Sequence, residues 1–181
     1  MLKKESRILG ISGSRLGDGL VIVGVVFRGS FWLDGVVITS INTVESNYTP
    51  EISRMIRSTK QFPQLHAIIV SQHLAPSRQL LIDELTRSVR LPVIAIKPVK
   101  RLKPYRHATK SKSFDFSVDG KHVAVSVAGV SKDEARRLFA VGCAQGFGIP
   151  EAVKVADVLV KRLGFLERET RIRKRHQSQK Q

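Results

Sequence analysis

Cysteine is nearly missing from this chain, and acids are scarce. The one cysteine, Cys143, cannot form an intramolecular disulfide, so a reducing cytoplasmic compartment is expected. It has no CxxC partner and sits among Ala140, Val141 and Ala144. A small buried apolar role is therefore expected rather than a nucleophilic one. The histidines at 66, 73, 107, 122 and 176 lack HxxxH or HExxH spacing, which argues against a zinc site. No GxSxG elbow is present, which argues against a Ser–His hydrolase. No run approaches the ~20 apolar residues of a membrane span. The charged opening "MLKKESR" leads into a strand pattern rather than a signal peptide. A soluble cytoplasmic protein without membrane contact is expected.

What the chain has in excess is positive charge. Lys and Arg number 31 against 15 Asp and Glu, a formal net charge of +16 at pH 7. Such an imbalance favours polyanionic partners, nucleic acid or a ribonucleoprotein above all. The charge is clustered. "KPVKRLKPYRHATKSK" holds Lys97, Lys100, Arg101, Lys103, Arg106, Lys110 and Lys112 with no acid, and its prolines and polarity predict a loop. The carboxyl end carries Arg171, Arg173, Lys174 and Arg175. Its lack of apolar periodicity predicts a disordered basic tail over 167–181. The remaining 1–166 suit a single domain, since 181 residues with 42% hydrophobic content can bury a substantial core.

The element pattern is ordered. "RILGISG", "LVIVGVVFR" and "FWLDGVVITSI" read as three strands joined by short turns, an antiparallel meander. Asp34-Gly35 inside the third marks a bulge. Thr49-Pro50-Glu51 opens a helix with Thr as its cap. Then come a strand at 67–70, a helix at 77–87 and a strand at 91–98. Strand–helix–strand order implies parallel pairing. "SFDFSVDGKHVAVSV" is a hairpin about Asp119-Gly120. "SKDEARRLFAVGCA" is a helix capped by Ser131. A last helix starts at Pro150, with Gly164 as its stop. "GISGSRLG" is followed by a strand rather than a helix, so it suits a hairpin turn better than a phosphate loop.

Most acids are explained by turns and first helical turns. Asp157 is not: it lies inside the last helix at the border of its apolar stripe. Ser71, Gln72 and His73 follow the apolar run at 67–70, at the end of a central strand, where ligands gather in α/β proteins.

Four separated blocks carry a resemblance. "IVGVVFRGSFWLDGV" from Ile22, "RLPVIAI" from Arg90, "GVSKDEARRLF" from Gly129 and "GIPEAVKVADVLV" from Gly148 resemble a largely archaeal family of unknown function related to endonuclease V. The resemblance covers about Arg7 to Gly164. It implies a ribonuclease H-like mixed sheet, the meander at one edge and the first strand beside the fourth, with helices packed on it. Endonuclease V nicks DNA or RNA near inosine with a divalent metal held by carboxylates, whose hard oxygens suit Mg²⁺. By the resemblance, the first-strand acid falls on Ser12 and the fourth-strand acid on Ser71. The acid after the third strand falls on Asn47, with Glu45 as a displaced substitute, and Asp157 keeps a site position.

The resulting expectation is a catalytically inactive endonuclease V-like protein without a cofactor. It would bind nucleic acid through the 97–112 cluster and the basic tail, with Tyr105 and Phe114 near enough to stack on bases, although Phe114 suits the core better. One alternative is a scaffold for an acidic protein partner. Another is a Mg²⁺-dependent nuclease with a site rebuilt from Asp157, Glu45 and Asp34. The sequence carries no oligomer signal.

Overall fold

The computed structural model describes residues 3–16, 19–42, 47–71, 74, 80–96, 112–118, 121–144 and 148–178. One mixed sheet runs through it. Strands β1 (Arg7–Leu16), β2 (Gly19–Arg28) and β3 (Trp32–Asn42) form the antiparallel meander. Helix α1 (Thr49–Arg57) and a 3-10 turn (Phe62–Gln64) lead to β4 (Leu65–Val70). Helix α2 (Ile82–Val89), β5 (Val93–Ile96), β6 (Lys112–Val118) and β7 (Lys121–Ala128) follow, then α3 (Lys132–Val141) and α4 (Glu151–Ser178). The strand order is β3-β2-β1-β4-β5-β7-β6. β1–β4 and β4–β5 are parallel, while β5–β7 and β6–β7 are antiparallel. The fold is α/β and ribonuclease H-like, with β1 beside β4 as the resemblance implies.

The period of two along each strand sorts side chains onto two faces. Leu9, Ile11, Ile68 and Val70 pack under α1 and α2 with Ile52, Ile56 and Leu85. Ile8, Ala67 and Ile69 face the other way, with Phe139 of α3 and Val153 of α4. Val23, Val25 and Phe27 meet Ala152, Ala156 and Val160 of α4. Central β4 and β5 are buried on both faces, which is why their sequences are near-continuous apolar runs.

The bulge expected at Asp34 is present. Val26 pairs with Gly35 and Phe27 with Leu33, leaving Asp34 unopposed. Its carboxylate meets Arg7 Nε at 2.5 Å and Arg28 at 3.7 Å. The Gln61 side-chain amide donates to its carbonyl at 2.7 Å. Ser131 caps α3, accepting from the Glu134 N–H at 3.3 Å. At α1 the capping differs from expectation. Asn47 Oδ1 accepts from the Thr49 N–H at 2.9 Å, while Thr49 Oγ1 accepts from the Leu81 N–H at 3.0 Å. Thr49 thus ties the start of α1 to the entry of α2. Helix α2 begins at Ile82, later than the expected 77.

Two expectations about the carboxyl end are corrected. α4 does not stop at Gly164, and residues 167–178 are helical rather than disordered. Gly164 is small because a Cβ there would approach Leu16 Cδ2 to 3.0 Å, a packing reason rather than a stop signal. Beyond it the Glu, Arg, Lys and Gln residues are good helix formers, and extending a packed helix needs no new nucleus.

Helix α4 runs along β1 in a definite register. A Cβ on Gly10 would lie 2.3 Å from the Ala152 carbonyl carbon, so the helix backbone rests directly on the strand. Gly164 meets Leu16 at the far end. The helix advances about 18 Å between residues 152 and 164, and the strand about 20 Å between 10 and 16. The two chains keep step. Gly10→Ala should therefore destabilise by about 3 kcal/mol, because the obstacle is backbone and cannot rotate away. Urea unfolding checks this; a loss below about 0.5 kcal/mol, the size of a surface effect, would mean that α4 does not rest there.

Cys143 is buried as expected, its Sγ 3.3 Å from the carbonyls of Phe139 and Gly148. Burial pushes its thiol up from 9.0 to about 12, with Lys154 lowering it slightly. A raised folded value means the unfolded thiol ionises first, so this contribution to stability holds below pH 9 and fades between 9 and 12. Iodoacetamide at pH 8 should label the native protein slowly and the urea-unfolded protein rapidly; equal rates would contradict the burial.

Candidate functional site

The site lies where β1 and β4 end beneath α4. Ser12 follows Ile8 and Gly10 on the α4 side of β1, and Ser71 follows Ala67 and Ile69 on the same side of β4. The Ser71 N–H donates to the Ile11 carbonyl at 2.8 Å, which extends the parallel ladder and holds the two serines side by side. Asp157 sits five residues beyond Ala152, about 7.5 Å along the helix. Ser12 sits two residues beyond Gly10, about 6.6 Å along the strand. The carboxylate therefore arrives over the two hydroxyls. Ser71 Oγ donates to Asp157 Oδ1 at 2.7 Å, and Ser12 Oγ donates to the same oxygen. Both serines are fully buried.

Three of the four residues expected at the site are thus together. Asn47 is used elsewhere: besides accepting from the Thr49 N–H, its amide N–H donates to Glu84 at 3.4 Å. Asp34 is committed to the bulge by Arg7 and Arg28. Phe114 is half-buried against the core under α3, with the Lys132 ammonium 5.3 Å from its ring centre. Glu45, Lys97, Lys100, Arg101, Lys103, Tyr105, Arg106 and Lys110 lie outside the described residues. Lys112 begins β6, and Arg171, Arg173, Lys174 and Arg175 lie along α4. Among the described residues no group of three or more His, Cys, Asp or Glu could hold a metal. Among the described residues no helix is long and apolar enough to cross a membrane.

Sequence reasoning missed Gly10, which sets the height of α4 over the site. An isolated glycine inside a buried strand is a signal of close backbone approach, and "RILGISG" contained it.

A UPF0215 protein of Methanosarcina acetivorans is 36% identical over 97 residues, 52% of this chain and 50% of that protein. One from Methanothermobacter thermautotrophicus is 25% identical over 179 residues, 87% of each chain. The chain resembles the archaeal UPF0215 proteins. In these alignments it spans about half the length of most of the curated relatives it matches. No protein-family model matches this UPF0215-like chain. Its fold is similar to a protein of unknown function from Archaeoglobus fulgidus, at TM-score 0.70 and 20% identity, over 87% of this chain and 97% of that one. The endonuclease V of Streptomyces avermitilis matches at TM-score 0.63 and 17% identity, over 91% and 82%. Argonaute of Marinitoga piezophila, in complex with guide RNA, matches at 0.52 and 8%, over 87% and 30%. The expected likeness to an archaeal, endonuclease V-like group therefore holds at the level of fold.

Removing the carboxylate tests the trio. Asp157→Ala withdraws the shared acceptor from two buried hydroxyls and should cost about 1–3 kcal/mol. In a Ser12→Ala/Ser71→Ala background the same change should cost less than half as much. Equal costs by urea unfolding in both backgrounds would mean that the three side chains are not coupled.

Proposed function

We propose that this chain is a catalytically inactive, endonuclease V-like protein that binds nucleic acid, either free or in a ribonucleoprotein. The observation that carries the reading is the use of Asp157 by two hydroxyls. A catalytic Mg²⁺ wants several anionic oxygens. The described residues at the strand ends offer one carboxylate and two neutral serines whose protons point at it. This donor set does not fit such a cation. The resemblance places carboxylates at 12 and 71 in endonuclease V, and serines there leave these strand ends with less negative charge to repel a phosphate backbone.

The net charge of +16 supplies the attraction, and counterion release makes it sequence-independent. Lys97, Lys100, Arg101, Lys103, Arg106, Lys110 and Lys112 follow β5, whose neighbour β4 ends at the site. The basic residues 171–175 extend the same charge along α4. Structural relatives include an endonuclease and an RNA-guided protein, which is consistent with a nucleic-acid partner.

The test is binding to labelled single- and double-stranded RNA and DNA across a salt series. Affinity should fall steeply with salt, by roughly 0.9 log units per phosphate contact per decade on duplex DNA. Replacing Lys100, Arg101, Lys103 and Arg106 by alanine should weaken binding at least tenfold and flatten the slope. Unchanged affinity would remove the 97–112 assignment, and no binding at low salt would remove the proposal in favour of an acidic protein partner. Mg²⁺-dependent cleavage of an inosine-containing strand, lost in Asp157→Ala, would overturn the inactivity.

A further inference from the structure

The two edges of the sheet are built differently. At one end β6 carries Lys112 and Asp115 within seven residues. Charges on an edge strand keep it from pairing with other strands. At the other end β3 has eleven residues and one charge, Asp34, which is turned back to Arg7 and Arg28. β3 has no Lys or Arg, in a chain with 31 of them.

This edge is also apolar. Phe31 is 78% exposed, Trp32 67%, Leu33 56%, Val36 48% and Ile38 55%. Leu33, Val36 and Ile38 lie opposite Phe27, Val25 and Val23 of β2. Those three β2 residues are covered by α4, so Leu33, Val36 and Ile38 are on the α4 face just beyond the helix, while Trp32, opposite Arg28, is on the other face. An exposed apolar stripe of this kind, free of basic residues, marks an interaction surface.

We propose that this surface is where a second copy of the chain docks, β3 against β3 about a two-fold axis. The charge pattern selects the occupant. A chain of +16 repels its own copy over most of its surface, and a strand without basic residues is where two copies can approach. An acidic partner would be drawn instead to the basic regions. A copy of β3 is itself a long strand with no basic residue, so an isologous antiparallel pairing beyond the Asp34 bulge, over residues 36–42, meets both its backbone edge and its exposed side chains. The result is one sheet continuous across both protomers.

The experiment is sedimentation equilibrium on nuclease-treated protein free of nucleic acid, at low and high salt. A species of twice the 20.2 kDa chain mass is expected. It should strengthen as salt rises, because screening weakens repulsion between like-charged copies. Nucleic-acid binding has the opposite salt dependence, so failure of one proposal is distinguishable from failure of the other. Val36→Lys/Ile38→Lys places charges on exposed positions outside the core. It should shift the dimer to monomer, at least tenfold in Kd, with the urea midpoint of the monomer unchanged. Wild-type protein that is monomeric at about 100 µM, in the range of a weak-interface Kd, would overturn the proposal. So would a dimer that the double substitution leaves intact.

Discussion

Everything at the candidate site depends on how closely α4 lies on β1. At Gly10 there is no room for a methyl group between the strand and the Ala152 backbone. The rest of the contact stripe is small or branched: Ala152, Val153, Ala156, Val160 and Gly164. Close contact at one point and a common direction fix a long helix along its length, because an α-helix is stiff. The step of five residues on the helix against two on the strand then brings Asp157 over Ser12. A helix held one side chain higher would not let a carboxylate, with two rotatable bonds, reach both serine hydroxyls.

The two serines meet the requirement on a buried polar group. Two fully buried hydroxyls have an acceptor, and the acceptor is ionisable and only half-buried. Charge-assisted bonds of this kind are stronger than neutral ones. The same atoms therefore tie the ends of β1 and β4 to α4, linking the meander to the parallel half of the sheet.

Much of this was legible in the sequence. Hydrophobic alternation and turn residues predicted the meander, the parallel pairs and the late hairpin, and Asp34-Gly35 predicted the bulge. Ser12, Ser71 and Asp157 were singled out as a set, although through resemblance rather than spacing, since they are far apart along the chain. The helical carboxyl end was not legible, because without apolar periodicity a segment attached to a packed helix looks like a free tail. Gly164 was misread for a related reason: a glycine required by close packing and one that ends a helix look alike until the partner, Leu16, is known. The contact of Asn47 with the first turn of α1 was hidden by the better-known signal of Thr49-Pro50.

The local electrostatics limit how such a site can change. Three carboxylates converging on one point repel one another strongly unless a cation lies between them. A single carboxylate with two hydroxyl donors needs no cation and is stabilised without one. Intermediates with two carboxylates are the least comfortable, since they retain repulsion but have fewer ligands for a hard ion. On the proposed reading the serines at 12 and 71 are therefore coupled: either alone would leave a neighbouring acid facing Asp157. The shared oxygen at Asp157 Oδ1 is the physical expression of that coupling, because it accepts both protons only when both strand ends supply one.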